Sequence, residues 1–127
     1  MKPRVLIIED NEQNLYLLTF LLTMNGYAVD SANDGRAGIE KARTNVPDLI
    51  LLDIQLPIMD GYAVARAIRQ VSVLAAVPII AVTSYAMPGD KEKALESGCT
   101  GYIEKPINPE TFLSQIAVYF PSDETGR

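Results

Sequence analysis

The chain has 127 residues, 48% of them hydrophobic and 21% charged, which suits one globular domain with a real core. Its net charge of −5 argues against nucleic acid as a partner, and the absence of histidine excludes any His-based triad, metal site or proton relay. With Cys99 as the single cysteine no intramolecular disulfide can form, which fits a reducing compartment. The expected location is cytoplasmic, with no membrane insertion, because the first apolar run breaks at Glu9, too short for a signal peptide or a span. Residues 1–120 read as one domain and residues 121–127 as a short, polar, loose tail.

Val5, Leu6, Ile7 and Ile8 form the first predicted strand, which ends in Glu9 and Asp10. Residues 11–14 offer a polar helix entry, and residues 15–24 are helical in length and character, closed by Asn25 and Gly26. Residues 27–32 alternate weakly, as expected nearer a sheet edge. Asn33, Asp34 and Gly35 turn the chain into a short helix at 36–45, with Ile39 and Ala42 facing inward. Leu49, Ile50, Leu51 and Leu52 then run without a polar break into Asp53, the pattern of a strand buried on both faces. Asp60 is a predicted N-cap for a helix to about 70, with Val64, Ala67, Ile68 and Val71 on one face. Pro78 opens a fourth strand, 79–82, which ends in Thr83 and Ser84. A loop at 87–90 leads to a short charged helix, 91–97, stopped by Gly98. The fifth strand, 101–104, ends in Lys105 and Pro106, and Asn108-Pro109 reads as the cap and first turn of a last helix reaching about Phe120.

Strand and helix thus alternate five times. That predicts an α/β fold: a doubly wound, five-stranded parallel sheet with five helices, for which the flavodoxin-like order 2-1-3-4-5 is the leading candidate. The three most aliphatic strands then lie innermost. The carboxyl ends of strands one, three, four and five share an edge, so Glu9, Asp10, Asp53, Thr83, Ser84 and Lys105 converge there. Three acids repel one another in a partly dehydrated crevice, and a divalent cation resolves that repulsion. Oxygen ligands select a hard ion, Mg²⁺, with Mn²⁺ or Ca²⁺ as substitutes. A carboxylate can be the nucleophile in phosphoryl transfer, with an ammonium and a hydroxyl opposite it to stabilise the phosphoryl oxygens. Taken singly, each residue has a plainer reading. Glu9-Asp10 suits a helix N-terminus, Thr83 is a strand former, and Lys105 is a solvated lysine. Their compatible types at the ends of different strands are what point to chemistry.

The chain resembles the receiver domain of bacterial two-component response regulators over about residues 4–120. The resemblance rests on Ile7-Ile8-Glu9-Asp10-Asn11, on Asp48 through Pro57 (DLILLDIQLP), on Met59-Asp60-Gly61, on Ala81-Val82-Thr83 and on Tyr102-Ile103-Glu104-Lys105-Pro106. It implies a CheY-like fold with Asp53 as the phosphoacceptor. It makes Glu9 and Asp10 the acidic pair for Mg²⁺, with Asp10 favoured as direct ligand and the backbone carbonyl of Gln55 as a further one. Thr83 becomes the switch hydroxyl, Tyr102 the switch aromatic and Lys105 the phosphate-contacting lysine. A cis peptide is expected before Pro106. Ser84 stands where many members have alanine, and Gln55 and Tyr85 occupy positions that tune phosphate lifetime. The segments Ala86-Met87-Pro88-Gly89-Asp90 and Gly98-Cys99-Thr100-Gly101-Tyr102 resemble stand-alone receivers of the DivK type.

The resemblance implies a partner on each side: a histidine kinase or histidine phosphotransfer protein as donor, and a downstream protein as target, with the chain itself a monomer or weak dimer. It is expected to be a signalling phosphoacceptor and not a turnover enzyme. A Mg²⁺-dependent phosphohydrolase of the haloacid dehalogenase type would need a second Asp where Gln55 stands. A flavodoxin-like cofactor module would need a phosphate-cradling loop where Asp10-Asn11-Glu12 is anionic. A phosphorylation-independent adaptor is the remaining alternative. Finally, Leu17, Leu18, Leu21 and Leu22 suffice to cover the sheet, while Tyr16, Phe20 and Met24 form a second stripe on the first helix. That stripe either widens the buried face toward the last helix or is left exposed for docking.

Overall fold

In the computed structural model, which describes residues 2–84 and 87–120, five parallel strands form one sheet in the order β2-β1-β3-β4-β5. The tail at 121–127, Ala86 and the lifetime position Tyr85 lie outside the described residues. The strands are β1 (Arg4–Ile8), β2 (Ala28–Ala32), β3 (Leu49–Asp53), β4 (Ile79–Thr83) and β5 (Gly101–Glu104). Between and after them come α1 (Glu12–Thr23), α2 (Gly35–Thr44), α3 (Gly61–Arg69), α4 (Asp90–Glu96) and α5 (Phe112–Ala117). This is the flavodoxin-like order that the alternation favours and the CheY-like fold that the resemblance implies.

The aliphatic runs do what their composition requires. Every residue of β3 and β4 is buried, and so is every residue of β1 after Arg4. Successive side chains point to opposite faces of the sheet. Leu6, Ile8, Ile50, Leu52, Ile79 and Ala81 join Ala42, Val64, Ile68 and Ala94 in one cluster, under α2, α3 and α4. Val5, Ile7, Leu49, Leu51, Ile80 and Val82 join Leu18, Leu22, Phe112 and Ile116 in the other, under α1 and α5. Full burial of each such aliphatic side chain contributes about 1.5–3 kcal/mol relative to exposure, so these strands hold rigid whatever their ends carry.

Three helix starts are capped by side chains that accept a backbone N–H three residues on. Asn11 accepts from Asn14 at 2.9 Å, Asp34 from Ala37 at 2.8 Å and Asp60 from Ala63 at 2.9 Å. The Asn11 cap starts α1 at Glu12, three residues before the expected 15, and Gly26 closes it with φ +89°.

Other boundaries also differ from expectation. The regular part of α5 is only Phe112–Ala117. Asn108 forms an entry turn instead of the cap itself: its side chain accepts from Glu110 N–H at 2.9 Å and its carbonyl from Phe112 N–H at 2.9 Å. Phe120, past the helix, stacks on Tyr27 at 5.3 Å. On α3 the buried residues are Gly61, Tyr62, Val64, Ala65 and Ile68, so Ala65 takes the place expected of Ala67. Val71 lies past the helix and leads into a short 3-10 turn, Ser72–Leu74, that the periodicity does not reveal. Arg69 ties this region together, donating to the carbonyls of Leu74 (2.9 Å), Val77 (2.8 Å) and Gly98 (2.8 Å).

On α1, Leu18 and Leu22 are fully buried and Leu15, Leu17 and Leu21 pack beside them. Tyr16, Phe20 and Met24 are 73%, 49% and 68% exposed. The rings of Tyr16 and Phe20 stack on each other at 6.4 Å. The stripe therefore does not widen the core.

Candidate functional site

The carboxyl edge of the sheet collects charged groups that the strands themselves bury. Glu9, just past β1, is 2% exposed; its backbone N–H donates to the Ala32 carbonyl at 3.0 Å, which fixes it against β2. Asp53, the last residue of β3, is 3% exposed and accepts the Gln55 backbone N–H at 2.9 Å. Lys105 directly follows β5 and is joined to Pro106 by a cis bond, and its own N–H donates to the Thr83 carbonyl at 2.7 Å. Its ammonium reaches between the two buried acids, 3.3 Å from Glu9 Oε1 and 3.6 Å from Asp53 Oδ1. Asp10 stands exposed at the mouth, and one carboxylate oxygen from each of Glu9, Asp10 and Asp53 lies within 4.8 Å of the others.

The charge does not balance. Burial, first, and repulsion from Asp53, second, push the Glu9 carboxyl up to about 7, and Lys105 pulls it back only in part. Three carboxylates to one ammonium is the condition in which a hard, oxygen-preferring cation fits. Glu9 is the acid most engaged by lysine, while Asp10 is the most open, which is compatible with Asp10 as the direct ligand that the resemblance implies. The structure thus brings together Glu9, Asp10, Asp53 and Lys105, four of the residues that the sequence singles out.

The remaining ones occupy the flanks. Thr83 is 3% exposed at the end of β4, beside the strand that carries Asp53. Gln55 faces the same loop cluster: its side-chain oxygen accepts the Ser84 N–H at 3.1 Å, and its side-chain nitrogen is buried with no partner among the described residues. Tyr102 sits on β5, paired in register with Ala81, and packs against the larger core cluster. It lines a groove of about 420 Å³ with Met87, Lys91, Glu92, Glu104 and Gln115.

Two features here escape sequence reasoning. The pairing of Lys105 with Glu9 as well as Asp53 depends on side-chain reach, which strand order does not give. The second is the loop from β3 to α3. Gly61 is pressed so close to the end of β3 that a Cβ there would meet Ile54 Cα at 2.5 Å and the Asp53 carbonyl at 2.7 Å. Within that loop Ile58 adopts φ 65°, a left-handed conformation that costs a β-branched residue about 1–3 kcal/mol. No sequence signal marks it, since isoleucine is among the residues least expected there.

A buried carboxylate beside a lysine and two further acids, at the switch edge of an open parallel sheet, defines the class as a receiver-like α/β protein. Comparisons with known proteins agree. The chain belongs to the response regulator receiver domain family, whose family model matches residues 5–117. The polar-differentiation response regulator DivK of Brucella anthropi is 40% identical over 119 residues, covering 94% of this chain and 97% of that protein. Among solved structures, chemotaxis protein CheY4 of Vibrio cholerae superposes with a TM-score of 0.90 at 31% identity, covering 94% of this chain and 100% of that one. The receiver domain of a sensor histidine kinase from Pseudomonas aeruginosa does so with a TM-score of 0.86 at 33% identity, covering 94% and 98%. That structure holds a magnesium ion coordinated in its active-site cleft.

Proposed function

We propose that this protein is a response regulator that accepts a phosphoryl group on Asp53, with Mg²⁺, from a histidine kinase or histidine phosphotransfer protein. The observation that carries this reading is the buried Asp53 carboxylate 3.6 Å from the Lys105 ammonium and grouped with Glu9 and Asp10. Glu9, Asp10, Asp53 and the Gln55 backbone carbonyl would hold the ion. Bound there, Mg²⁺ would supply the charge that offsets the acids and the phosphoryl oxygens. Mn²⁺ or Ca²⁺ could take its place on the same oxygen ligands.

The chain's own residues do the rest. An Asp53 oxygen attacks phosphorus in line, and the donor imidazole nitrogen leaves with the electron pair of the broken P–N bond. Lys105, already turned to Asp53, follows the charge onto a phosphoryl oxygen. The Thr83 hydroxyl donates to another, and its loop moves with it. The movement opens space for Tyr102 and alters the face made by α4, β5 and α5, where a downstream protein binds. The product is a modified protein, so the chain acts as a phosphoacceptor and not as a turnover enzyme. Residues 1–120 form the receiver unit, acting in the cytoplasm as a monomer or weak dimer.

Incubation with acetyl phosphate and Mg²⁺ should add one acid-stable, base-labile phosphoryl group, and Asp53→Asn should add none. Equal labelling of Asp53→Asn would place the acceptor elsewhere. No labelling of the wild type would leave the phosphorylation-independent adaptor as the better reading.

A further inference from the structure

Just past Asp53 the chain makes a turn that its own residue type opposes. Ile58 has φ 65°, and the Met59 N–H donates back to the Pro57 carbonyl at 2.6 Å. A bond from i+2 to i around a positive-φ centre is the rarer, strained form of γ-turn. Glycine adopts that conformation freely and asparagine tolerates it, whereas a β-branched side chain does not. The neighbours impose it. Leu56 is buried, Met59 packs into the core beside Gly35, and Asp60 caps α3. The Ile58 side chain takes no part in that anchoring. It is fully exposed, more so than any other large apolar side chain among the described residues.

A side chain that strains its backbone and packs against nothing among the described residues gains nothing from them. Two observations say what could reward it from outside. The chain has no histidine, so a phosphohistidine must arrive on another protein. Asp53 is 3% exposed at the base of the loops that surround it, so a protein donor must close over their rim, and 54–60 is one of those loops. The rim is also anionic, with Asp10, Glu12 and Asp60 exposed, and it repels an approaching phosphoryl group. An uncharged contact adds attraction there without adding to that repulsion.

We propose that Ile58 is an apolar docking contact held out beside Asp53 for the protein that carries the phosphohistidine, inserting into an apolar depression next to the donor's histidine. The proposal rests on Asp53 being the acceptor. A small phosphodonor reaches Asp53 without touching the rim, so the two kinds of donor separate docking from chemistry.

Ile58→Gly and Ile58→Asn fit the turn, and Ile58→Met keeps an apolar side chain. Each is compared with wild type for labelling by acetyl phosphate with Mg²⁺, and for transfer from the source cell's histidine kinases, autophosphorylated with ATP. The kinase that transfers fastest to wild type is then used throughout. Ile58→Gly and Ile58→Asn should resist urea at least as well as wild type and label normally with acetyl phosphate. They should take phosphate from the kinase on the order of tenfold more slowly, the loss expected for one buried aliphatic contact. Ile58→Met should recover most of that rate. Unchanged kinase transfer in Ile58→Gly overturns the proposal, as does an equal fall with both donors, which would make the residue part of the Asp53 site. So does a wild type that labels with acetyl phosphate but receives nothing from any kinase. A wild type that labels with neither removes the Asp53 reading itself, and this proposal with it.

Discussion

Both ends of the central strands join an acid to a basic residue, and the two junctions behave in opposite ways. At the amino end, the Asp48 carboxylate accepts the Arg4 backbone N–H at 2.7 Å, the Asp48 N–H donates to the Arg4 carbonyl at 2.8 Å, and the Arg4 guanidinium donates to the Val46 carbonyl. Arg4 and Asp48 are both exposed, so water completes whatever the contacts leave open. At the carboxyl end, Glu9 and Asp53 are buried and share a single lysine. The first junction settles where β1 and β3 begin and is satisfied as it stands. The second carries surplus negative charge in a place where water cannot relieve it. Such a surplus is compatible with a ligand of the opposite sign.

The largest expected consequence of that surplus is a pH dependence of stability in the presence of EDTA. Glu9 titrates near 4.5 when unfolded and at about 7 in the fold. The folded state therefore holds the proton more tightly, and ionisation of Glu9 opposes folding. This stabilisation is fully present below about 4.5 and is lost as pH rises through about 7. At about 1.4 kcal/mol per unit of pKa, urea denaturation should show a fall of about 2–3 kcal/mol between pH 5 and pH 8. A flat profile over that window would mean that the acid cluster is not under strain, and the contrast between the two ends would collapse.

Next in size is one substitution made at both ends. Asp53→Asn removes the carboxylate that repels Glu9 and leaves Lys105 paired with Glu9 at 3.3 Å. At pH 8 in EDTA it should raise stability by about 1–2 kcal/mol, and the gain should shrink toward pH 5 as Glu9 takes up its proton. Asp48→Asn weakens a charge-assisted hydrogen bond and should lower stability by about 0.5–1 kcal/mol at either pH. Losses of the same sign at both ends would show that Lys105 already balances the carboxyl edge.

Metal addition sharpens the same contrast. Mg²⁺ at about ten times its dissociation constant should stabilise the wild type by about 1.4 kcal/mol. Asp53→Asn should lose most of that gain and Asp48→Asn should keep it. Titration calorimetry gives the constant directly, and equal Mg²⁺ stabilisation of the two variants would put the ion outside the acid cluster.

How much of this could be read from the residues depends on what each signal measures. Inner parallel strands are buried on both faces, so β1, β3 and β4 announce themselves as unbroken aliphatic runs, and the alternation with helices makes the observed order the leading candidate without fixing it. A strand's carboxyl end is a fixed place in such a sheet, so Glu9, Asp53 and Lys105 could be grouped before any contact was known. Caps are local, and Asp60 was legible for that reason. The short α5 was not, because Asn108 and Pro109 carry the same signals whether they open a helix or an entry turn. Ile58 was not, because its backbone is set by the packing of Leu56, Met59 and Gly61 around it, against its own preference.

The smallest expected effect on stability is that of Phe20 on α1, a helix where the same apolar character appears on two sides with different consequences. Leu22 is fully buried, and Leu22→Ala should cost about 2–5 kcal/mol by opening a cavity under the helix. Phe20, two residues earlier, is half exposed and stacked only on Tyr16 among aromatic neighbours of the described residues. Phe20→Ser removes no core contact of that kind, and serine and phenylalanine have similar helix propensities. It should change stability by less than about 1 kcal/mol. Under the proposed function, α1 lies beside the acid cluster, since Asn11 and Glu12 follow Glu9 and Asp10 directly. An exposed aromatic pair there suits contact with a protein partner such as the kinase. Phe20→Ser should then slow transfer from the kinase while leaving acetyl phosphate labelling unchanged. A variant that unfolds would assign Phe20 to the core after all, and a folded variant with unchanged transfer and unchanged sedimentation would remove both kinase docking and self-association as reasons for the stripe.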